Sequence, residues 1–191
     1  MEKRSASAAR TEAKILNATA DLWLKHPLTD MTLEKVAEES GVTIRTILRK
    51  FGSKDGLLEA CMGYYATAHM PQRQLDVTGD IQKALSILLD EYELMGDAVF
   101  RTIQAQDDLP VAAKILEKGR STHRAWCEMV FEPFLPDHAS PDYDICLLAF
   151  ISATEIYLWK LLRRDLKLSF SQTQKVFLTT VEALVMKSNQ K

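Results

Sequence analysis

The chain is poor in the residues that build cross-linked or metal-bound folds. It has three cysteines in 191 residues, and Cys61, Cys127 and Cys146 lack the close spacing of a metal site. Each lies among apolar residues with helical periodicity, which favours reduced cysteines that pack as small hydrophobic side chains. The composition therefore argues against a disulfide scaffold, and it predicts no metal site and no cofactor.

Signals of catalysis and export are also missing. The chain contains no phosphate-binding glycine loop, no H-E-x-x-H and no G-x-S-x-G, and its four histidines are scattered. No apolar run follows the charges of the opening MEKRSASAAR, so we expect no secretory signal and a cytoplasmic protein. These absences favour a protein that is not an enzyme.

Strand periodicity is absent, whereas apolar residues recur at the three- and four-residue spacing of helices. The seven glycines and six prolines fall between these periodic segments. We therefore predict an all-α fold of about nine helices, at about residues 8–25, 32–40, 43–50, 53–70, 80–95, 97–106, 110–134, 142–164 and 169–187.

Positive charge is scarce overall, since the net charge is −2, but it is concentrated in SGVTIRTILRKFGSKDGLL, residues 40–58. This segment holds four basic residues and no acidic residue before Asp55. Two short helices joined at Gly41, with small Ala37 at their crossing, form a helix-turn-helix whose second helix can enter the major groove of DNA. A solvated basic helix face is the alternative interpretation, but it leaves the glycine turn and the short helices unexplained.

At this point the sequence resembles the TetR family of bacterial repressors, over about residues 10–60. The family pattern is roughly T-x-x-x-I-A-x-x-A-G-V-S-x-G-T-L-Y-x-H-F-x-S-K-x-x-L. The matching residues are Thr32, Val36-Ala37, Ser40-Gly41-Val42-Thr43, Thr46-Ile47-Leu48-Arg49-Lys50-Phe51, Ser53-Lys54 and Leu57-Leu58. The resemblance implies a three-helix DNA-binding domain, a larger helical domain for ligand binding and dimerisation, and a palindromic operator.

Two positions depart from the family pattern. Leu48 stands where the family usually has a tyrosine that contacts phosphate, and Lys50 stands where it has histidine. Arg49 and Lys50 can supply a charge-assisted phosphate contact instead. Alternatively, Leu48 packs beneath the helix and the contacts to the backbone shift.

The DNA-contacting residues follow from these positions. Arg45 near the start of the second helix can bond a guanine in two places, and Lys54 at a helix N-terminus can bind phosphate, as the family's lysine does. The full predicted set is Thr32, Thr43, Ile44, Arg45, Thr46, Leu48, Arg49, Lys50 and Lys54.

The segment ICLLAFISATEIYLWKLL, residues 145–162, carries only two charged residues, Glu155 and Lys160. A membrane span is the weaker interpretation, because Glu155 would lie inside the bilayer. A helix that packs on its own domain and on a partner subunit is also apolar all round. We therefore expect a homodimer, with Ile156, Trp159, Phe177, Val181 and Leu184 in the interface.

Aromatic and apolar residues also lie on the helices that surround an effector cavity in the family. Plain core packing is the alternative for each of them. The predicted pocket residues are Phe100, Trp126, Met129, Phe150 and Tyr157, and their character suits a hydrophobic or aromatic ligand.

The expected domains are residues 1–53 for DNA binding and 54–191 for effector binding and dimerisation, with 54–70 as a connecting helix. The expected function is a transcriptional regulator, a repressor released from its operator by a small ligand. The alternative is a DNA-binding protein that a protein partner controls, without a small-molecule effector. The sequence identifies neither the operator nor the effector.

Overall fold

The computed structural model describes residues 2–69 and 71–188, so the predicted boundaries at residues 1, 70 and 191 lie outside the described residues. The described chain is helical and contains no strand. Its α-helices are α1 (Glu2–Lys25), α2 (Leu33–Ser40), α3 (Ile44–Phe51), α4 (Lys54–His69), α5 (Ile81–Gln104), α6 (Pro110–Phe131), α7 (Tyr143–Thr154), α8 (Ile156–Lys160) and α9 (Phe170–Ser188). The predicted all-α class is confirmed.

The chain divides into two compact units. One comprises Met1–Pro71 with Asp97–Lys118, and the other comprises Gln72–Gly96 with Gly119–Lys191. Helices α5 and α6 therefore contribute residues to both units. The predicted functional boundary at residue 53 remains a prediction.

The first unit is held together by an apolar core beneath α2 and α3. Helix α1 crosses α2 and α4, and full burial of each large apolar side chain contributes roughly 1.5–3 kcal/mol. The buried core residues include Ile15, Leu16, Val36, Ile47, Leu57, Leu58 and Cys61.

The C-terminal end of α1 is fixed to α5 within the same unit. The indole N–H of Trp23 donates to the Thr102 hydroxyl at 3.0 Å. Arg101 donates to the carbonyl oxygens of Trp23 and Leu24, at 3.2 and 2.7 Å. A cation at the last carbonyls of a helix is favourable for the helix dipole, so this contact stabilises the position of α1.

The predicted break at Gly96-Asp97 was wrong, because α5 continues through it. Gly96 is buried, and a Cβ at this position would overlap the indole ring of Trp159. Trp159 is fully buried, and its Nε1 donates to Glu93 at 2.7 Å. The glycine thus serves the close approach of an aromatic ring, not a change in backbone direction.

We expect Gly96→Ala to destabilise the protein by up to about 2 kcal/mol. Overpacking against the Trp159 ring, which is held in place by Glu93, costs about 1–3 kcal/mol. Alanine in turn has a helix propensity about 1 kcal/mol more favourable than that of glycine. Urea unfolding measures the difference. Gly119→Ala is the matched control, since a Cβ at Gly119 of α6 meets nothing within 4 Å, and that variant should be neutral or stabilised.

The helix predicted over 142–164 is also interrupted. Glu155 has φ −68° and ψ 150°, and it separates α7 from α8. The carbonyl that leaves the helix, that of Thr154, accepts a hydrogen bond from the Tyr92 hydroxyl at 2.9 Å, and the Glu155 carboxylate accepts from the Ile156 N–H at 3.1 Å. These two bonds replace the helical hydrogen bonding that the break removes.

Residues Tyr143–Asp165 are long and apolar enough to cross a membrane by length and composition, and 39% of the most apolar window is buried within the protein. A single run of this kind is weak evidence for a span. The core helix of a folded domain passes the same test.

The C-terminal end of α6 and the N-terminal end of α9 were also predicted from the sequence. The helix that begins at Pro110 ends at Phe131, and residues Glu132–Phe134 form a 3₁₀ turn around Pro133 instead of continuing it. The predicted capping box before α9 is confirmed: Ser169 N–H donates to the Gln172 side chain at 2.9 Å, and Gln172 N–H donates to the Ser169 hydroxyl at 3.2 Å.

Candidate nucleic-acid interface

Backbone caps define the geometry of α2, the turn and α3. Thr32 caps α2 by accepting from the Lys35 N–H at 3.3 Å, and Thr43 caps α3 by accepting from the Thr46 N–H at 3.3 Å. Between them Gly41 has φ +67°, the left-handed conformation that glycine adopts without a steric penalty. The threonine and glycine positions of the sequence pattern therefore have direct structural causes.

One side of α3 is buried and the opposite side is exposed. Ile47 is completely buried beneath the helix, and Arg45, Leu48 and Arg49 are exposed on the outer side. Leu48 is 39% exposed. The alternative in which Leu48 packs beneath the helix is therefore wrong. Leu48 offers an apolar contact between two cations.

Three of the four basic side chains are free of intramolecular ion pairs within the described chain: Arg45, Arg49 and Lys54. The fourth, Lys50, forms an ion pair with Glu12 of α1 at 3.1 Å and is 18% exposed. Such partly exposed pairs contribute about 0–1 kcal/mol, so a phosphate can compete with Glu12 for this lysine. Glu12 was not identified from the sequence, because it lies far from Lys50 in the chain.

Lys54 is the first residue of α4. Ser53 caps that helix by accepting from the Gly56 N–H at 3.0 Å. The helix N-terminus carries partial positive charge, which adds to the ammonium group of Lys54. This arrangement suits a phosphate oxygen.

The remaining predicted DNA contacts differ in exposure. Thr32 and Thr43 are exposed, although each hydroxyl already accepts a backbone hydrogen bond. Ile44 and Thr46 are half-buried, and the Thr46 hydroxyl bonds that of Thr43 at 3.0 Å. Assignment of these residues to DNA contact remains a prediction.

The predicted effector residues differ in exposure and in the unit to which they belong. Trp126 and Phe150 are buried, Met129 is half-buried, and Tyr157 is 55% exposed. Phe100 is half-buried and belongs to the first unit. A cavity of about 300 Å³ is lined by Phe150 and by none of the other four.

The predicted dimer residues are mostly core residues. Ile156, Trp159, Phe177 and Val181 are buried within their own chain, and Leu184 is half-buried, so the first four offer no surface to a partner. The prediction chose the wrong faces, because a helix that is apolar all round does not reveal which side faces its own core. The large apolar residues that these helices do expose are Ile145, Leu148, Tyr157, Leu161 and Met186.

A buried polar network surrounds Arg73 in the second unit. Its guanidinium lies over the Trp126 ring, 4.0 Å from the centroid, with Nε 3.3 Å from the Glu91 carboxylate. Burial raises the pKa of Glu91 to about 7, and the attraction of Arg73 offsets this only partly.

The same guanidinium fixes the tautomer of His123. Arg73 Nη2 donates to His123 Nδ1 at 3.0 Å, so Nε2 carries the proton and donates to the Thr154 hydroxyl at 3.1 Å. Burial, and then the charge of Arg73, lower the pKa of His123 to about 3. The imidazole is therefore neutral at physiological pH. Arg73 and Glu91 were not identified from the sequence as neighbours of this histidine, because both lie far from it in the chain.

An exposed helix with two unpaired arginines, set on a glycine turn above a three-helix core, defines a helix-turn-helix protein of the kind that reads duplex DNA. Residues 15–61 match the family model for bacterial regulatory proteins of the tetR family. This segment of the chain is therefore similar to the DNA-binding part of that family.

One curated relative is also named as a helix-turn-helix regulator. The chain is 29% identical over 92 residues to an uncharacterised helix-turn-helix transcriptional regulator, YvkB, of Bacillus subtilis strain 168. The match covers 47% of this chain and 49% of that protein, so the chain spans about half the length of this curated relative.

Solved structures show the same fold at low identity. A candidate transcriptional regulator from Pseudomonas aeruginosa PAO1 superposes with TM-score 0.70 at 13% identity, covering 94% of this chain and 92% of that one. A TetR transcription regulator from Haloarcula marismortui ATCC 43049 superposes with TM-score 0.62 at 17% identity, covering 91% and 96%. At these identities the likeness establishes the fold alone.

Proposed function

We propose that this protein is a sequence-specific DNA-binding transcriptional regulator that acts as a homodimer. The observation that carries the proposal is the outer side of α3, where Arg45 and Arg49 are exposed and have no ion-pair partner among the described residues. Arg45 lies near the helix N-terminus, the end that meets bases when such a helix enters the major groove. Arg49 and Lys54 would contact the phosphates that flank the groove.

A dimer would present two copies of α3 to a palindromic site. The exposed apolar residues of the C-terminal helices support this part of the proposal, because Ile145 is 69% exposed, Met186 65% and Tyr157 55%. Large apolar side chains that are this exposed favour an interaction site. We assign the interface to these exposed residues and no longer to the buried ones.

We further propose that the unliganded protein represses transcription, and that a small hydrophobic or aromatic ligand releases it from its operator. Such a ligand would act by binding more tightly to a conformation with low DNA affinity. A DNA-binding protein controlled only by another protein would show no change in DNA affinity with any small molecule.

Selection of bound fragments from a random DNA pool tests the function. We expect a palindrome with two half-sites. Arg45→Ala should lose about 1–3 kcal/mol of discrimination at one base position, because the bidentate contact is lost, while Lys54→Ala should weaken all sequences alike.

Lys83→Ala is the matched control, because Lys83 is exposed on α5 and belongs to the other unit. It should leave both affinity and preference unchanged. Recovery of random sequence by the wild-type protein, or equal effects of all three variants, would contradict the proposal.

A further inference from the structure

Leu48 differs from the other apolar residues of the first unit in its exposure. Nine large hydrophobic side chains are exposed in the described part of the chain, and eight of them belong to the second unit. Leu48, at 39% exposure, is the ninth. A single exposed leucine is ordinary in itself, so the surroundings of Leu48 decide what it can contact.

The side chains next to Leu48 carry positive charge. Arg45 precedes it by three residues and lies on the same side of α3, and Arg49 follows it directly. Both arginines are exposed. An apolar protein surface that covered Leu48 would also remove water from the two guanidinium groups, which is costly without a compensating anion. The surroundings of Leu48 therefore favour a polyanion that also carries an apolar group.

The length of α3 places Leu48 over bases when this helix lies in a major groove. The helix has eight residues, Ile44–Phe51, and is therefore roughly 12 Å long, close to the groove width of about 12 Å. Leu48 is the fifth of these residues, so it lies near the middle of the groove and not at its phosphate edges. Its side chain has no polar atom that could bond a phosphate.

Thymine presents an apolar methyl group in the major groove, on C5 of its ring. We propose that Leu48 contacts this methyl group and thereby selects a thymine at one position of each half-site. The inference rests on the proposed DNA-binding function and adds Leu48 to Arg45 as a residue that determines base preference.

The spacing of Leu48 and Arg45 predicts where this thymine lies. Three residues advance about 4.5 Å along a helix axis, and successive bases of one DNA strand are about 3.4 Å apart. We therefore expect the thymine one or two base pairs from the base that Arg45 contacts. That base is the position at which Arg45→Ala relaxes the preference of the protein.

Deoxyuridine tests the contact, because it differs from thymidine only in lacking the methyl group. Each thymine of the selected operator is replaced in turn by deoxyuridine in both half-sites, and fluorescence anisotropy measures the affinity. Burial of one methyl group changes a binding constant about fourfold. At the predicted position we therefore expect the affinity of the wild-type protein to fall about 15-fold, fourfold for each half-site.

A second pair of duplexes separates the methyl group from the hydrogen-bonding pattern of the base. Cytosine and 5-methylcytosine at the same position differ by the same methyl group in the major groove, but they pair with guanine. We expect the wild-type protein to bind the 5-methylcytosine duplex about 15-fold more tightly than the cytosine duplex. Equal affinity for these two duplexes contradicts the inference.

Variants assign the contact to Leu48. Leu48→Ala and Leu48→Gln should bind the thymine and deoxyuridine duplexes with affinities within twofold of each other. Both should fold, because the side chain is exposed and alanine and glutamine favour helix, and circular dichroism verifies this. Arg49→Ala is the matched control on the same helix: it should weaken both duplexes and retain the 15-fold ratio.

The outcomes separate this inference from the proposed function. If the selected operator has no thymine at the predicted position, or if deoxyuridine there has no effect, the inference fails and the palindromic operator still supports the proposed function. A methyl preference that survives Leu48→Ala assigns the contact to another residue and also overturns the inference. Recovery of random sequence in the selection overturns both.

Discussion

Affinity for the selected operator is expected to fall about 10⁴-fold when NaCl rises from 50 to 200 mM, with a log–log slope near −7. Four cations per subunit, Arg45, Arg49, Lys50 and Lys54, would neutralise about eight phosphates in a dimer. Each neutralised phosphate releases condensed counterions, and the slope is about −0.9 per phosphate. Fluorescence anisotropy over this salt range measures it, and a slope near zero contradicts the proposed interface.

The ion pair between Lys50 and Glu12 is expected to lower the affinity for DNA, because Lys50 must leave Glu12 before it can contact phosphate. Glu12→Gln removes a pair worth about 0.2–1 kcal/mol in each subunit, so operator affinity should rise roughly 2- to 30-fold in the dimer. Glu182→Gln makes the same change of charge on the exposed side of α9 and should have little effect. A weaker complex with Glu12→Gln would show that Glu12 supports recognition through another contact.

The helix-turn-helix could be predicted from the sequence because its determinants are local. Thr32, Gly41 and Thr43 act on residues within a few positions of themselves, and their caps and turn occur where the pattern indicates. The side of α3 that faces the core follows from the buried Ile47 at helical spacing. The pairing of Lys50 with Glu12 could not be predicted, since it depends on how α1 crosses the motif.

The C-terminal helices show the limit of the same reasoning. Gly96 indicated a helix break by its propensity, yet its function is to admit Trp159, sixty-three residues later in the chain. Glu155 lies in the middle of a segment whose apolar residues have helical periodicity. The helix is nevertheless interrupted there, and the Tyr92 hydroxyl donates to the Thr154 carbonyl that the interruption frees. Both outcomes depend on contacts between distant segments, which periodicity does not encode.

Arg73→Met is expected to lower the free energy of unfolding by about 2–4 kcal/mol at pH 8, because Glu91 must then stay charged without its cation or take up a proton. The variant also leaves Nδ1 of His123 without a donor. Arg124→Met is the matched control: Arg124 pairs with Glu128 and Asp144 at the surface, with 42% of its side chain exposed, so its loss should cost about 0–1 kcal/mol. Urea unfolding of both variants measures the contrast, and equal losses would contradict a special role for the buried pair.

The effect of this pair should depend on pH in a defined direction. The pKa of Glu91 is about 7 in the folded protein, against 4.5 for an ordinary glutamate. Between these values the folded state binds more protons than the unfolded state, so the contribution of Glu91 to stability falls as pH rises. His123 acts in the opposite sense, because its pKa of about 3 lies below the ordinary 6.5, and its contribution to stability rises with pH between those values.

A difference measurement separates the two groups. Glu91→Gln removes the glutamate's titration and leaves that of His123 in place, so the stability of the variant relative to wild type should increase by up to about 3 kcal/mol between pH 4.5 and 7. The loss caused by Arg73→Met should shrink over the same interval as pH is lowered, because the unpaired Glu91 can take up a proton. A difference between Glu91→Gln and wild type that stays constant with pH would contradict a raised pKa of Glu91 and would mean that Arg73 fully offsets the effect of burial.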